Sequence, residues 1–315
     1  MPNTVTNAFT VGREQQLLMI DSLLSNIVSR DGGSLLFSGE PGIGKSHLLR
    51  ETMTRAKHLL IRTISLRCSE SDINDPFALF SRLGALFDIP EPESFETNAA
   101  RFRYGRQALD AAAEHPSILL IDDLQWCDYL SSIALLHLFD YGTNLGIGFL
   151  ATTRPLDDFD ETGTIIQVRT LSQLMTHVPL TGLSKVETSQ LVSQVTSTSV
   201  TPSIEKSLQD LTNGNPFFLL EIMRVDSSIN SLDGVKIPRE LENILDQRID
   251  LLKKDEDIIS MAAIIGLSGD RQILFQSLDS LNHKNTDIAT ALHRAERFGL
   301  LTFNEERYDF SHALY

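Results

Sequence analysis

From residue 10 to about 180, short apolar runs alternate with longer amphipathic stretches. Runs such as Ile118-Leu119-Leu120-Ile121 are typical of strands that are buried on both faces of a sheet. The pattern predicts strands at 34–38, 59–66, 117–122, 148–153 and 177–180. It predicts helices at 14–29, 45–57, 77–87, 99–114 and 130–141. This alternation indicates an α/β fold with a parallel sheet.

After residue 183 the strand signal fades and helical periodicity takes over. Helices are predicted at 185–195, 202–212 and 216–224, and a linker rich in Ser, Asn, Asp and Gly at 226–236. Further helices are predicted at 239–252, 254–265, 271–278 and 287–298. Two short strands, 300–303 and 307–310, then form a hairpin across 304–306. Helices that end in such a hairpin suggest a winged-helix-like fold.

Residues 39–46 spell Gly-Glu-Pro-Gly-Ile-Gly-Lys-Ser, a complete phosphate-binding loop between a predicted strand and a predicted helix. Its glycines let backbone N–H groups point inward, and the helix N-terminus adds positive partial charge. We expect Lys45 to reach the β- and γ-phosphates of ATP, and Ser46 to ligate Mg²⁺. The residues assigned to nucleotide binding in this segment are Gly39, Pro41, Gly42, Ile43, Gly44, Lys45, Ser46 and His47.

The predicted strand 117–122 ends in two acids. Since ligands lie at the carboxyl ends of parallel strands, Asp122 is expected to face the same crevice as Lys45 and to hold Mg²⁺, directly or through water. Asp123 has two open interpretations: it orients or deprotonates the attacking water, or it only caps the following turn. Asp128 is expected to be a helix N-cap.

The predicted strand 148–153 is followed by an arginine and a proline. Because Pro155 prevents helix continuation, Arg154 should project at the strand tip. A cation there can contact the γ-phosphate of ATP and report its presence, which makes Arg154 a candidate catalytic or sensing residue. The alternative is a surface arginine at the end of a strand.

A chain of 315 residues has room for two or three domains. The pattern divides it into a P-loop nucleotide-binding domain (1–182), a helical lid-like domain with linker (183–235) and a winged-helix-like domain (236–315). The chain stops within an apolar segment at 310–315, without a cap or a polar tail. We therefore expect the last domain to be truncated.

The net charge of −15 opposes extensive direct contact with nucleic acid. Residues 236–315 share this acidity, with 10 Lys or Arg and 14 Asp or Glu. No apolar stretch is long enough to span a bilayer, and we find no signal peptide. Two cysteines give neither a disulfide framework nor a metal cluster. We expect a cytoplasmic protein that binds ATP or ADP with Mg²⁺ and contacts neither membrane nor nucleic acid through this segment.

Five short motifs occur in an order that resembles the STAND class of AAA-type P-loop ATPases. They are Val11-Gly12-Arg13-Glu14, Asp122-Asp123-Leu124-Gln125-Trp126, Thr152-Thr153-Arg154-Pro155, Gly214-Asn215-Pro216 and Phe310-Ser311-His312-Ala313-Leu314. The third motif lies at the end of a predicted strand. The fourth resembles the G-x-P element of that class, and the fifth resembles its winged-helix histidine motif. The chain is most similar to the N-terminal ATPase region of large LuxR-type transcriptional regulators, an Orc1-like ATPase module.

This resemblance implies a nucleotide switch. Val11, Gly12 and Arg13 would lie over the adenine, Pro216 would pack near the base, and His312 would touch the β-phosphate of ADP and lock a closed state. Each of the last two has an ordinary alternative: Pro216 as the first residue of a helix, and His312 as a core histidine. An unknown inducer would open the module, ATP would replace ADP, and the protein would self-oligomerise.

The sequence thus favours a slowly hydrolysing ATP-binding switch that controls an output domain in transcription. The alternatives are a constitutive AAA+ ATPase or remodeller, an initiator-like DNA-binding ATPase, the ATPase module of a multidomain adenylate cyclase, and phosphoryl transfer to a small molecule. A ring motor needs an arginine finger, and no arginine occurs between Asp123 and Thr153. The acidic 236–315 segment argues against an initiator.

Overall fold

The computed structural model describes residues 10–92, 95, 97–156, 163–196, 202–225, 253–266, 268–279, 285–297, 300–303 and 307–310. The chain divides into two compact units. One is Arg13–Thr181, and the other combines Met1–Gly12 with Gly182–Tyr315. Within the described ranges, no helix has both the length and the apolar character needed to cross a membrane.

The unit Arg13–Thr181 is built on a five-stranded parallel sheet with the order β2-β3-β4-β1-β5. The strands are β1 (Gly33–Ser38), β2 (Arg62–Arg67), β3 (Ser117–Asp122), β4 (Gly148–Thr153) and β5 (Thr176–Pro179). The three central strands β3, β4 and β1 are almost entirely buried, as their continuous apolar runs predict. The predicted α/β parallel-sheet P-loop core is therefore confirmed.

Six helices accompany this sheet and bury its two faces. They are α1 (Glu14–Val28), α2 (Lys45–His58), α3 (Ala78–Ala85), α4 (Asn98–Ala113), α5 (Tyr129–Asn144) and α6 (Gly163–Leu174). One apolar cluster joins Ile20 and Leu48 of the helices to Phe37 of β1. A second joins Phe80 and Tyr104 to Phe149 of β4. The sheet is thus covered on both faces, and its strand ends are left to carry chemistry.

The strand register brings four strand ends to one level of the sheet. Ser38 of β1 pairs with Thr153 of β4, and Arg67 of β2 pairs with Asp122 of β3. The backbone N–H of Gly39 donates to the carbonyl of Thr153 at 3.2 Å, which continues the pairing into the phosphate loop. The phosphate loop, Arg67, the two acids and Arg154 consequently share the carboxyl edge of one sheet.

The start of one strand and the presence of one helix depart most clearly from the sequence prediction. Strand β2 begins at Arg62 rather than at 59, because α2 extends to His58 and a turn follows in which Leu60 has a φ of +57°. Helix α6 was not predicted. Its sequence is rich in β-branched Thr, Ile and Val, whose intrinsic preference favours strands, and packing against α5 overrides that preference.

The second unit contains two groups of elements. Helices α7 (Lys185–Thr196), α8 (Pro202–Thr212) and α9 (Pro216–Val225) pack around Leu191, Val192 and Leu208, with Val11 against the same cluster. The later group comprises α10 (Glu256–Ile265), β6 (Ser268–Asp270), α11 (Arg271–Asp279), α12 (Asn285–Arg297), β7 (Leu301–Phe303) and β8 (Arg307–Phe310). Strands β6, β8 and β7 form an antiparallel sheet, of which β6 was not predicted.

Two predicted elements, the linker 226–236 and the helix 239–252, lie outside the described residues. The division at residues 182 and 235 and the winged-helix-like assignment stay predictions.

Candidate functional site

The loop between β1 and α2 has glycine where the backbone requires it. Gly39 has a φ of +157°, and a Cβ there would lie 2.9 Å from the carbonyl oxygen of Leu180. Gly44 has a φ of +108° and immediately precedes Lys45, the first residue of α2. The loop therefore leads directly into a helix N-terminus whose unpaired N–H groups suit a phosphate.

The side chain of Lys45 folds back over its own loop. Its ammonium donates to the carbonyl oxygens of Gly39 and, at 2.9 Å, of Glu40, and the residue is only 8% exposed. Burial lowers the pKa of Lys45 to about 8, an effect that Asp123 opposes and Arg154 reinforces. The ammonium is thus held by two carbonyls that phosphate oxygens can replace.

The lowered pKa predicts that nucleotide binding depends on pH. A bound polyphosphate favours the ammonium form of Lys45, so binding should take up protons near pH 8.5, and affinity should fall about tenfold per pH unit well above pH 8. Calorimetric titration of ADP without Mg²⁺, in buffers of different ionisation enthalpy, measures both effects. Proton release, or an affinity that is constant to pH 10, would contradict this role of Lys45.

Asp122 meets the phosphate loop. The hydroxyl of Ser46 donates to Asp122 Oδ2 at 3.0 Å, and the hydroxyl of Thr152 donates to Asp122 Oδ1 at 2.5 Å. Ser46 and Asp122 are the hard oxygen ligands that Mg²⁺ accepts, together with phosphate oxygens and water. Among the residues that the structure describes, no group of three His, Cys, Asp or Glu side chains is placed to hold a metal. This donor set fits a Mg²⁺ bound jointly with a nucleotide.

Asp123 has a strained backbone and a fixed carboxylate. Its φ of +59° lies in the left-handed region, which aspartate tolerates better than most residues. Its carboxylate accepts from Arg67 Nη2 at 3.2 Å and from Gln125 Nε2 at 3.1 Å. The carboxylate makes no cap hydrogen bond to the 3₁₀ turn Leu124–Trp126. By contrast, Asp128 caps α5 by accepting from the N–H of Ser131, as predicted.

Arg154 follows β4 directly, on the same sheet edge as the acids. Its guanidinium carbon lies 5.2 Å from the centre of the Trp126 ring, and its backbone N–H donates to Gln125 Oε1 at 3.2 Å. The residue before it, Thr153, accepts from the N–H of Gly39 at 3.2 Å, so Arg154 lies beside the loop, and its charge helps to lower the pKa of Lys45. The structure therefore brings together Lys45, Ser46, Asp122, Asp123 and Arg154.

Arg13 contacts the backbone of the phosphate loop. It is 7% exposed, and Nη2 donates to the carbonyl oxygens of Ile43 at 3.0 Å and Thr181 at 2.8 Å. Ile43 of the loop is buried in the core, and in the first turn of α2 burial lowers the pKa of half-buried His47. The proposed contact of Arg13 with adenine stays a prediction.

The other residues assigned to the base and the diphosphate belong to the second unit. Val11 packs on the helical cluster, and Gly12, with a φ of +70°, has no room for a Cβ beside Leu183. Pro216 is the first residue of α9, where Asn215 Oδ1 accepts from the N–H of Phe217 at 3.1 Å. His312 lies outside the described residues. Their contacts with nucleotide stay predictions.

Three residues of the site were not assigned from the sequence: Arg67, Gln125 and Thr152. Thr152 is fully buried and joins β4 to both acids, because it also accepts from the N–H of Asp123 at 3.0 Å. Nothing in the sequence alone distinguishes these residues, since their partners are set by the pairing of β2, β3 and β4. Gln125 and Thr152 stand in two of the motifs that carry the family resemblance, but no role was assigned to either, and Arg67 stands in none of them.

Comparison with known proteins agrees with this geometry. Residues 10–147 match the family model of the AAA ATPase domain. None of the curated proteins compared with the chain matches it significantly.

Solved structures similar to the chain include the ORC2 protein of Aeropyrum pernix in its ADPNP–ADP complexes, which is 14% identical with a TM-score of 0.59 and coverage of 99% of this chain and 92% of that one. The ORC1 protein of the same organism in complex with DNA is 13% identical, with a TM-score of 0.53 and coverage of 100% and 92%. A STAND protein with a tetratricopeptide repeat sensor from Pyrococcus horikoshii is 17% identical over 99% of this chain and 42% of that one, with a TM-score of 0.43.

At these identities the likeness establishes the fold alone. The chain therefore has an AAA+ P-loop fold that resembles the folds of the ORC1, ORC2 and Cdc6 proteins. The more particular assignment, to the STAND class or to LuxR-type regulators, stays a prediction.

Proposed function

We propose that this protein is an ATP- and ADP-binding switch of the STAND type, with slow, Mg²⁺-dependent hydrolysis, that controls an output domain in transcription. Lys45 and the loop N–H groups hold the phosphates, and Ser46 and Asp122 hold Mg²⁺, which stabilises charge on the phosphates when it is bound. Asp123 orients or deprotonates the attacking water. Arg154 senses the γ-phosphate.

The observation that carries the proposal is the contact between Ser46 Oγ and Asp122 Oδ2 at 3.0 Å. It joins the phosphate loop to the acid at the end of β3, which is the arrangement that a nucleotide with Mg²⁺ requires. The buried ammonium of Lys45 beside them supplies the charge that phosphates need. A glycine-rich turn without a nucleotide would not need these three groups in one place.

The chemistry of the chain disfavours two alternatives. A DNA-binding initiator normally presents a basic surface, whereas this chain has a net charge of −15. A ring motor needs an arginine finger, and the segment between Asp123 and Thr153 has no arginine. An inducer, an output domain and self-oligomerisation are further parts of the proposal, and they follow from the motif resemblance.

The first experiment identifies the nucleotide that the purified protein retains. The protein is purified without added nucleotide and denatured, and the released compound is identified by chromatography. We expect about one ADP per chain, because a closed resting switch retains its product. The His312→Ala variant should retain less ADP and exchange it faster, if His312 contacts the β-phosphate.

An empty site that binds ATP and hydrolyses it without an inducer would instead identify a constitutive ATPase. An ADP off-rate that is unchanged in His312→Ala would remove the lock from the proposal while leaving the nucleotide site intact.

A further inference from the structure

Gln125 forms a bridge between the two strand ends that carry the proposed chemistry. It lies in the 3₁₀ turn after Asp123 and is 7% exposed. Its Nε2 donates to Asp123 Oδ1 at 3.1 Å, and its Oε1 accepts from the backbone N–H of Arg154 at 3.2 Å. Both ends of one buried amide are therefore used, one on each strand.

The partners fix the orientation of this amide. A backbone N–H can only donate, so the atom that faces Arg154 must be the oxygen of Gln125. A carboxylate accepts, so the atom that faces Asp123 must be the NH₂ group. A flipped amide would lose both hydrogen bonds at once. Only one orientation of the amide satisfies both hydrogen bonds, so the bridge fixes the position of Asp123 relative to Arg154.

Arg154 is held on two sides by consecutive residues of the same turn. Gln125 holds its backbone, and the ring of Trp126 lies under its guanidinium at 5.2 Å. Asp123 begins that turn in a left-handed conformation with a φ of +59°, and its carboxylate direction depends on Gln125 and Arg67. A shift of the strand tip at Arg154 therefore moves the amide that orients Asp123.

We propose that Gln125 is a positioning residue that couples Arg154 to the carboxylate of Asp123, so that the acid is aimed at its water only when Arg154 has taken its place at the terminal phosphate. This inference rests on the proposed roles of Asp123 and Arg154. The contacts of Gln125 that support this role are those with Asp123 and with the backbone of Arg154. Gln125 acts through the acid, and a misplacement of a reacting group by about 1 Å costs up to about 100-fold in rate.

The test compares single-turnover ATP hydrolysis with nucleotide affinity in the full chain. Gln125→Met removes both hydrogen bonds and is expected to lower the hydrolysis rate at least about tenfold, while the dissociation constants for ATP and ADP change less than about twofold. Gln125→Glu is isosteric: it keeps an acceptor for Arg154 and loses the donor to Asp123, so it should also be slow. Gln107→Met, at an exposed position of α4, is the matched control and should hydrolyse ATP normally.

A double-mutant cycle separates positioning from a structural effect. If Gln125 acts through Asp123, Gln125→Met should slow hydrolysis no further in an Asp123→Asn background. Additive losses, or equal losses of hydrolysis and of nucleotide binding in both Gln125 variants, would overturn the inference.

Different results would contradict the proposed function and the role of Gln125. Normal hydrolysis by Asp123→Asn, or a wild-type protein that binds ATP and never cleaves it, would overturn the proposed function and the role of Gln125 with it. Slow Asp123→Asn with normal rates in both Gln125 variants would overturn the role of Gln125 alone.

Discussion

Replacing Lys45 with alanine should abolish nucleotide binding. The ammonium already lies within the loop on the carbonyl oxygens of Gly39 and Glu40, so it needs only a small movement to reach bound phosphates. The other Lys and Arg residues of α2, at positions 50, 55 and 57, are at least one helical turn away from the loop. Loss of this charge-assisted contact should weaken ADP and ATP at least about 100-fold, or about 2.7 kcal/mol. Titration calorimetry and the thermal shift caused by ADP measure the loss.

The same variant should still fold, which separates a binding defect from a folding defect. Because burial disfavours the charged form of Lys45, its removal takes a desolvated ammonium out of the folded state. The melting temperature without nucleotide should therefore change little, while ADP no longer raises it. Lys57→Ala, on an exposed position of the same helix, is the control and should bind normally. A Lys45→Ala protein that binds ATP normally would refute the whole site assignment.

Replacing Asp122 with alanine or asparagine should separate hydrolysis from ADP binding. Asp122 is the carboxylate that accepts from Ser46 and Thr152, and it is the proposed ligand of Mg²⁺. Single-turnover hydrolysis should fall about 100-fold or more, because a misplaced Mg²⁺ no longer stabilises charge on the phosphates. ADP affinity measured without Mg²⁺ should change less than about threefold, since the loop and Lys45 are intact.

Asp140→Asn is the matched control for this variant, because Asp140 lies on an exposed position of α5. The enhancement of nucleotide affinity by Mg²⁺ should disappear in the Asp122 variants and persist in Asp140→Asn. If the Asp122 variants kept both the enhancement and the hydrolysis rate, the metal site would have to lie elsewhere. Thermal unfolding of each variant shows whether the loss of the Thr152 contact has disturbed the strand ends.

The helices and strands of the first unit followed closely from hydrophobic periodicity, with two instructive errors. Leu59 and Leu60 are apolar, which predicts strand, but both are exposed in the turn that follows α2. Helix α6 was missed because its β-branched residues favour a strand locally. Packing against α5 decided the conformation of α6, and that contact is not encoded in a local window of sequence.

The sequence by itself determined the parallel sheet, the phosphate loop with Lys45 and Ser46, and the acids at the end of β3. These features follow from local composition, because apolar runs make buried strands and fixed glycines make the loop. Only the tertiary structure decided which groups meet: Ser46 with Asp122, Arg13 with Ile43, and Gln125 with both Asp123 and Arg154. Those contacts depend on the order and register of strands far apart in the chain, which a one-dimensional pattern does not contain.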